Sequence, residues 1–265
     1  MKKEKAEGKV LFDRFYENIW KERWESLKKS MEGKSGKVSL SPLLSQPYFM
    51  DEASILVSSL LPGGENLEIL DMCASPGGKT LSIALTMKNA SIVANDRSPD
   101  RVRRLKESIM LLPGDIRERM VVTRRDASKW CLHEKERYDR ILLDAPCSSE
   151  RHVLNDEKHL SIWSPSRPKR LSVEQYALLS SAFLTVKNGG YILYSTCSVN
   201  PGENEGVIAK LFKKHKDEVE EIKCTLPNSE EREYGLMLMP DKAGGIGPMY
   251  ACLIRKRLNQ NSSFC

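Results

Sequence analysis

The sequence predicts an α/β fold: a mostly parallel sheet with helices on both faces, preceded by a short helical extension. Two observations support this. From residue 67 onward, short apolar runs alternate with helical patterns, which is typical of βαβ units. Before residue 40, apolar residues recur at steps of three and four, which indicates an amphipathic helix. We therefore divide the chain into an N-terminal helical extension, residues 1–40, and a single larger domain, residues 41–265.

The N-terminal segment is expected to form one helix over residues 11–31, where lysines and glutamates separate the apolar positions. A helix that packs on the main domain is the favoured interpretation, and a helix that binds a partner protein is the alternative. The stretch EGKSGKVSLSP, residues 32–42, is rich in glycine and serine and is predicted to be a flexible joint. The apolar positions of the helix are Phe12, Phe15, Tyr16, Ile19, Trp20, Leu27 and Met31.

The larger domain is expected to alternate strands and helices. One helix should start at Thr80, and another should span 99–112, with Ser98 as its cap and Pro99 in its first turn. A third helix is predicted over 174–187. The last strand alternates polar and apolar residues, so we expect it at an edge of the sheet. The predicted strands are 67–71, 90–96, 119–126, 138–144, 189–196 and 247–256.

Composition argues against several classes of protein. No apolar run approaches the ~18–20 residues of a membrane span, and the N-terminal MKKEKAEGK lacks the apolar stretch of a secretory signal. The seven cysteines are scattered without a Cys-x-x-Cys pair, so neither a metal site nor a disulfide framework is predicted. A cytoplasmic location is expected, with the mitochondrial matrix as the alternative if a presequence is missing. The formal charge of +6 suggests a polyanionic partner.

The stretch DMCASPGGKT, residues 71–80, has the glycines, lysine and threonine of a phosphate-binding loop. A Walker A loop, however, requires its first glycine where Cys73 stands. Cysteine resists the positive φ that this position adopts. We therefore do not expect a nucleoside triphosphate here. The glycines should instead let the backbone approach another ligand closely.

Four predicted strands end on a carboxylate: Asp71, Asp96, Asp126 and Asp144. Open parallel sheets bind ligands at the carboxyl ends of their strands. These carboxylates would repel a phosphate-rich cofactor but suit one with hydroxyl groups, an exocyclic amine and a positive charge. Asp96 lies about twenty residues beyond the glycine loop, where a carboxylate can accept hydrogen bonds from ribose. S-adenosylmethionine meets these demands, and its carboxylate should reach helix N–H groups and Lys79.

Two further stretches each place a cysteine just past a predicted strand: LLDAPCSSERH, residues 142–152, and YSTCSVNPGENE, residues 194–205. A buried free cysteine is usually only a small apolar residue. Cys147 and Cys197, however, follow neighbouring strands on the ligand side, and Cys147 lies close to Asp144. Both are therefore candidate catalytic residues. No chemical role is expected for the thiols of Cys73, Cys131, Cys224, Cys252 and Cys265.

On these residues the sequence resembles the Sun/Fmu (RsmB-type) family of RNA 5-methylcytosine methyltransferases. CASPGGKT, DAPCSSE and YSTCSVNPGENE match its cofactor loop and its two cysteine motifs, and the resemblance covers about residues 46–256. YFMDEAS, ANDRSPDR, ERH and GPMYACLIRK are most similar to the mitochondrial ribosomal-RNA branch. The sequence departs from the family where Ser149-Glu150-Arg151 replaces a glycine-containing end of the first cysteine motif. It departs again at Met50, where glutamine is common.

The resemblance implies a Rossmann-like class I methyltransferase fold with a mostly parallel seven-stranded sheet, and S-adenosyl-L-methionine as the cofactor. It implies that Cys197 is the nucleophile that adds to cytosine C6, and that Cys147 assists proton removal and product release. Asp144 would bind the N3/N4 edge of the base. The residues expected to bind the cofactor are Cys73, Ala74, Ser75, Pro76, Gly77, Gly78, Lys79, Asp96, Arg101, Asp126 and Asp144.

The expected partner is RNA, with ribosomal RNA favoured, transfer RNA as an alternative, and a targeting protein as a further option. WSPSRPKR, residues 163–170, is predicted to be a basic loop with an aromatic residue that lies over the active-site edge and stacks on or clamps unpaired RNA; a solvated cover is the alternative. The chain is expected to be a monomer. Rival hypotheses are methylation of a protein or small molecule, and RNA binding without catalysis. A second basic surface, with a solvated face as its alternative, comprises Arg97, Arg101, Arg103, Arg104, Arg117, Arg119, Arg124 and Arg125.

Overall fold

The computed structural model describes residues 2–33 and 35–258 of the chain. The described strands form one two-stranded sheet and one nine-stranded sheet. The strands are β1 Lys37–Ser39, β2 Phe49–Asp51, β3 Glu68–Asp71, β4 Ser91–Asn95, β5 Met120–Thr123, β6 Tyr138–Asp144, β7 Val186–Thr196, β8 Val219–Ile222, β9 Ser229–Glu231, β10 Leu236–Leu238 and β11 Met249–Lys256.

Helices separate most of these strands, and short 3-10 turns lie at Lys21–Arg23 and Ala127–Leu132. Helix α5 begins as predicted, with Ser98 as its cap and Pro99 in its first turn. The helices are α1 Lys2–Trp20, α2 Trp24–Met31, α3 Glu52–Ser58, α4 Gly78–Thr86, α5 Pro99–Ile109, α6 Gly114–Arg117, α7 Glu150–Leu154, α8 Glu157–Ser161, α9 Ser166–Thr185 and α10 Glu205–Lys214.

The large sheet has a parallel half and an antiparallel half. Strands β5, β4, β3, β6 and β7 lie side by side in that order, and each neighbouring pair is parallel. Strand β11 then pairs antiparallel to β7, and β10 and β9 follow it. The mostly parallel sheet expected from the sequence is confirmed. Because β3, β4, β6 and β7 run in one direction, Asp71, Asn95, Asp144 and Thr196 all end strands at one edge.

Two expectations about the sheet are wrong. It contains nine strands rather than seven, because three short strands after α10 join the six whose positions the sequence predicted. Strand β11 is not an edge strand: β7 covers one flank, while β10 and β8 share the other. All residues from Met249 to Ile254 are buried. Their alternating sequence suggested a half-exposed strand, but the chain between 219 and 238 returns to cover it.

The N-terminal helix is interrupted rather than continuous. Lys21 has a φ of 52°, and this left-handed backbone ends α1 and starts a 3-10 turn before α2. The turn aims Arg23 at two carboxylates, with Nε 2.8 Å from Asp241 and Nη1 3.0 Å from Glu230. The joint predicted at 32–42 is also partly structured, since β1 lies within it and pairs with β2.

The sheet separates two apolar cores, which contact opposite faces of its alternating strands. Phe12, Tyr16 and Trp24 of the N-terminal helices are fully buried, in the core that contains α9. This packing agrees with the favoured interpretation of that segment. The domain boundary at residue 40 stays a prediction. No helix within the described residues is both long enough and apolar enough to cross a membrane.

Candidate active site

The loop between β3 and α4 packs closely against its neighbours. Gly77 has a φ of 118°, and a Cβ added there would lie 2.9 Å from the Cβ of Ser108. The Ser108 hydroxyl donates a hydrogen bond to the carbonyl of Pro76 at 2.6 Å. A Cβ on Gly78 would lie 3.1 Å from Met50. The two glycines therefore let the loop fit between α5 and β2, in addition to any ligand contact.

Two adjoining pockets open beside this loop, and Cys73 lines both. The first has a volume of about 210 Å³ and is lined by Asp96, Arg101 and Asp126. The second has a volume of about 240 Å³ and is lined by Asp71 and Asp144 together with loop residues. Each of the four predicted carboxylates therefore lines one or the other of these two pockets. The second pocket also receives Ala74, Ser75, Pro76, Gly78 and Lys79.

Asp96 is held in the first pocket by the start of α5. It accepts a hydrogen bond from the Ser98 N–H at 3.0 Å and lies 3.1 Å from the Nε of Arg101. Arg101 in turn donates to the carbonyl of Ser75 at 2.8 Å, which ties the loop to the helix. Asp126 lies exposed at the rim and caps the following turn through Ser128. Asp96 is therefore the more rigid of the two carboxylates.

Asp71 is the most unusual group in the second pocket. It is 1% exposed, and the Thr80 hydroxyl donates to its Oδ2 at 2.6 Å. Its Oδ1 has no hydrogen-bond partner of ordinary geometry within the described residues. Burial, followed by the neighbouring Asp144 carboxylate, raises the pKa of Asp71 to about 7. A cationic ligand in this pocket would supply the missing partner.

Lys79 links the loop to the end of β6. Its Nζ lies 2.8 Å from Asp144 Oδ2 and 3.2 Å from the hydroxyl of Ser54. Burial lowers the pKa of Lys79, but the Asp144 carboxylate outweighs burial and raises the pKa above its ordinary value. Ser195 donates to the other Asp144 oxygen at 2.8 Å. Contacts to both oxygens thus fix the orientation of the Asp144 carboxylate, which lines the second pocket.

The structure brings the two predicted catalytic thiols together. The sulfur atoms of Cys147 and Cys197 are 3.3 Å apart, and both cysteines are free. The hydrogen bond from Cys147 lowers the pKa of the Cys197 thiol, burial opposes this shift, and the Ser149 hydroxyl lowers it further. The same contact, together with burial, raises the pKa of Cys147 well above its usual value. This contact therefore favours a thiolate at Cys197 over one at Cys147.

Ser149 is a site residue that the sequence did not single out. Its hydroxyl lies 3.2 Å from the sulfur of Cys197 and 3.5 Å from the sulfur of Cys147. It has a φ of 52°, a left-handed conformation that is uncommon for serine. This backbone geometry turns the hydroxyl toward both thiols. The only sequence signal was the departure from the family's pattern at Ser149-Glu150-Arg151.

The prediction of a loop over residues 163–170 is wrong. Trp163 is 3% exposed and packs edge-on against Phe12, so it cannot stack on RNA. Helix α9 already begins at Ser166, and Pro168 lies in its first turn, where the missing N–H leaves no hydrogen bond unmade. Lys169 and Arg170 remain exposed. Because α9 leads into the start of β7, these two residues lie at the same edge as the thiols.

The predicted arginine surface is only partly open. Arg101 is turned toward Asp96, Arg97 pairs with Glu174 at 2.6 Å, and Arg119 donates to the carbonyl of Ala90. Arg97, Arg101 and Arg125 line the first pocket rather than a separate surface. Cys265 lies outside the described residues.

The chain is similar to known proteins in both sequence and structure. The family described as 16S rRNA methyltransferase RsmB/F matches residues 58–254. The chain belongs to this family. The 5-cytosine rRNA methyltransferase NSUN4 of Bos taurus is 37% identical over 227 residues, which cover 77% of this chain and 58% of that relative. The mitochondrial tRNA (cytosine(34)-C(5))-methyltransferase of Danio rerio is 30% identical over 226 residues, covering 80% of this chain and 61% of that protein.

The chain therefore spans about three fifths of the length of these two curated relatives. Among solved structures, PH0851 superposes with a TM-score of 0.76 at 24% identity, covering 92% of this chain and 65% of that one. NSun6 from Pyrococcus horikoshii with SFG gives a TM-score of 0.67 at 26% identity, covering 82% and 55%. The Rossmann-like class I methyltransferase fold predicted from the sequence is confirmed.

Proposed function

We propose that the chain is an S-adenosylmethionine-dependent RNA cytosine C5 methyltransferase, with ribosomal RNA as its favoured substrate. The observation that carries this proposal is the thiol pair, with Cys147 and Cys197 3.3 Å apart beside Asp144 at the carboxyl ends of β6 and β7. Methylation of a protein or small molecule would not require two thiols there. The descriptions of the Bos taurus and Danio rerio relatives, which name rRNA and tRNA cytosine methylation, favour RNA.

The two pockets fit the proposed cofactor. In the first pocket, Asp96 would accept hydrogen bonds from ribose hydroxyls, and Asp126 lies at the rim. In the second, the orphaned Oδ1 of Asp71 would meet the cofactor's ammonium group. Gly77 is the N-cap of α4 and Gly78 its first residue, and the first N–H groups of this helix can meet a carboxylate. When bound, the cofactor would supply a methyl group carried on a sulfonium, and loss of that group would leave a neutral thioether.

We assign the nucleophile to Cys197, because its lowered pKa favours the thiolate. The thiolate adds to cytosine C6, and the electrons of the C5–C6 bond move so that C5 becomes nucleophilic. C5 can then accept a methyl group. Lys79 and Ser195 hold Asp144 so that its carboxyl group can bind the N3/N4 edge of the base while charge develops there.

We assign the second half of the reaction to Cys147. After C5 is methylated, its proton must leave so that the C6–S bond can break and release the thiolate of Cys197. Cys147 lies within 3.3 Å of the sulfur that departs. Because its pKa is raised, Cys147 remains a thiol; it can pass its proton to the departing sulfur of Cys197 and take up the C5 proton in exchange, so that it ends the step as a thiol again. Its position thus suits assistance in product release rather than the initial attack.

The test is incubation of the protein with total RNA and labelled cofactor, followed by bisulfite sequencing to find cytosines that resist conversion. We expect label in ribosomal RNA, and none with Cys197→Ala. Label found only in transfer RNA would identify transfer RNA, the alternative, as the substrate. Label in protein, or none in any RNA fraction, would overturn the proposal.

The oligomeric state, the need for a targeting protein and the cellular location are further parts of this proposal. A monomer is checked by light scattering, and a targeting protein by comparing activity on purified RNA with activity in extract. The cytoplasmic location, with the mitochondrial matrix as its alternative, stays a prediction that fractionation of source cells would test.

A further inference from the structure

Two carboxyl groups lie buried beneath the thiol pair. Glu150 on α7 and Glu203 in the loop after Cys197 are both 0% exposed. Neither forms an ion pair with a lysine or arginine in the part of the chain that the structure describes. Burial, and then the neighbouring Glu203, raise the pKa of Glu150 to about 8, and burial also raises the pKa of Glu203. Such a pair is costly to bury unless hydrogen bonds satisfy it.

Glu150 joins the N-terminal helix to the loop that carries Cys197. The hydroxyl of Tyr16 on α1 donates to Glu150 Oε1. The Ser198 hydroxyl donates to the same oxygen at 2.9 Å, and the Val199 N–H donates to Oε2 at 3.0 Å. Ser198 directly follows Cys197, so the position of that thiol depends on where Glu150 is held.

Glu203 does the same for the other thiol. Both the N–H and the hydroxyl of Ser148, which follows Cys147, donate to its carboxylate, the N–H at 2.9 Å. Gln175 on α9 donates to the same group at 2.9 Å. The hydroxyl of Ser198 lies 2.9 Å from Glu150 and 3.2 Å from Glu203, so it connects the two carboxyl groups. The residues that follow the two cysteines are thereby fixed relative to each other.

The N-terminal helices also contact the segment after Cys147 through their backbones. Arg151 donates to the carbonyl of Ser30 at 3.1 Å, and Asn155 donates to that of Met31 at 2.8 Å. A Cβ on Gly8 would lie 2.3 Å from the carbonyl oxygen of Ser161, so α1 approaches α8 closely. Glu150 and Arg151, which depart from the family's glycine-containing motif, are thus among the residues that reach the N-terminal helices.

We infer that α1 and α2 form a positioning element of the active site, in which Tyr16, Glu150 and Glu203 hold Cys147 and Cys197 at their working separation. The inference rests on the proposed function only in taking the two thiols as the reacting pair. The alternative is a purely structural role, in which Tyr16 contributes to folding but not to the thiols. The two differ in what happens to the acidity of Cys197.

The experiment compares Tyr16→Phe with Tyr138→Phe. Each change removes one hydroxyl from a buried tyrosine that donates to a glutamate, since Tyr138 donates to Glu134 at 2.6 Å. Tyr138 begins β6, at the opposite end of the strand from Cys147. The readout is the rate at which iodoacetamide alkylates Cys197, followed by peptide mass spectrometry from pH 5.5 to 10.5. This readout requires neither RNA nor cofactor.

We expect Tyr16→Phe to move the inflection of the alkylation profile upward by about 0.5–1 pH unit. This shift corresponds to part of one hydrogen bond lost from the thiolate. Tyr138→Phe should leave the inflection unchanged. Ser148→Ala, which loosens the Glu203 side, should shift it in the same direction, and the double variant should shift it by less than the sum. A Tyr16→Phe profile identical to that of Tyr138→Phe would overturn the inference.

Methylation kinetics give the second readout. Tyr16→Phe should lower kcat about 5- to 30-fold while KM stays within about twofold, since the thiols rather than the RNA surface are disturbed. An unchanged kcat would contradict the inference even if the variant were less stable. Failure of the wild-type chain to methylate any RNA would refute the proposed function instead, and the alkylation profiles would still decide the positioning role.

Discussion

The cofactor side and the thiol side of this sheet edge handle buried charge differently. On the cofactor side, two carboxylates pair with cations, Asp96 with Arg101 and Asp144 with Lys79, and Asp71 keeps an oxygen without a partner among the described residues. On the thiol side, Glu150 and Glu203 face each other and are satisfied by hydroxyl, amide and backbone donors. The first arrangement leaves polar edges free to bind a charged ligand. The second uses all its hydrogen bonds internally, which suits the fixing of two loops.

The largest expected effect separates the two sides. Cys197→Ala should lower methylation on the order of 10⁴-fold or more, because the nucleophile is lost. Cofactor affinity, measured by calorimetry, should stay within about twofold because the pockets are intact. Cys131→Ala is the matched control, since this cysteine is free and lines neither pocket. Substantial turnover by Cys197→Ala would reassign the nucleophile.

Cys147→Ala divides the thiol side itself. The nucleophile should still add to RNA, but release should stall, so a slowly migrating protein–RNA band should appear on a denaturing gel. The band should disappear in the Cys147→Ala/Cys197→Ala double variant. The change also removes the hydrogen bond that lowers the pKa of Cys197, so the alkylation inflection should rise. Absence of the band on a verified substrate would contradict this division of roles.

The buried carboxyl pair of Glu150 and Glu203 predicts a distinctive pH dependence of stability. The pKa of Glu150 is raised from 4.5 to about 8 on folding. Between pH 4.5 and about pH 8, Glu150 is ionised in the unfolded chain but keeps its proton in the folded chain. The stability that Glu150 contributes is therefore fully present below pH 4.5 and is lost as the pH rises to about 8. The slope for one such group is at most about 1.4 kcal/mol per pH unit.

Glu150→Gln cannot titrate and should show a shallower decline in the free energy of unfolding across this range. The comparison is made by urea denaturation at several pH values, and it uses the slope rather than the absolute stability. Glu134→Gln is the control, because the pKa of Glu134 is lowered rather than raised. Equal slopes for wild type and Glu150→Gln would mean that Glu150 is ionised when buried.

On the cofactor side, Asp96→Ala should weaken cofactor binding by about 1–3 kcal/mol, through loss of charge-assisted hydrogen bonds to ribose. RNA affinity should barely change. Asp100→Ala, an exposed change in the first turn of α5, serves as the control. Calorimetric affinity equal to wild type in Asp96→Ala would displace the ribose site.

The smallest expected effect concerns the RNA path beside both regions. Replacing Lys169 and Arg170 by alanine should weaken RNA binding similarly across sequences and reduce the salt-dependence slope by roughly one to two units. Lys213 and Lys214 form the matched control, because α10 runs from the carboxyl end of β7 back toward the opposite edge. Wild-type binding by the Lys169/Arg170 variant throughout a salt titration would place the RNA elsewhere.

The sequence by itself determined the parallel sheet, its polar edge and the pairing of two cysteine motifs. These features are local: a strand, a glycine loop and a helix cap can each be identified within a few residues, and strand direction then gathers their ends. Asp71, Asp96 and Asp144 were predicted for that reason, and so were Cys147 and Cys197. The conformation of 163–170 was predicted wrongly: the segment was expected to be a basic loop, but α9 begins at Ser166, and Pro168 fits the first turn of that helix.

Only the tertiary structure decided how the thiols are supported. In the sequence, 187 positions separate Tyr16 from Glu203, and Glu150 lies between them. In the sequence, Tyr16 is one apolar position of a helix and Glu150 is one charge after a motif. Their burial together depends on α1 closing over α7 and α8, and the pKa values of the site depend on that burial. Those quantities arise from long-range packing, which a local pattern does not specify.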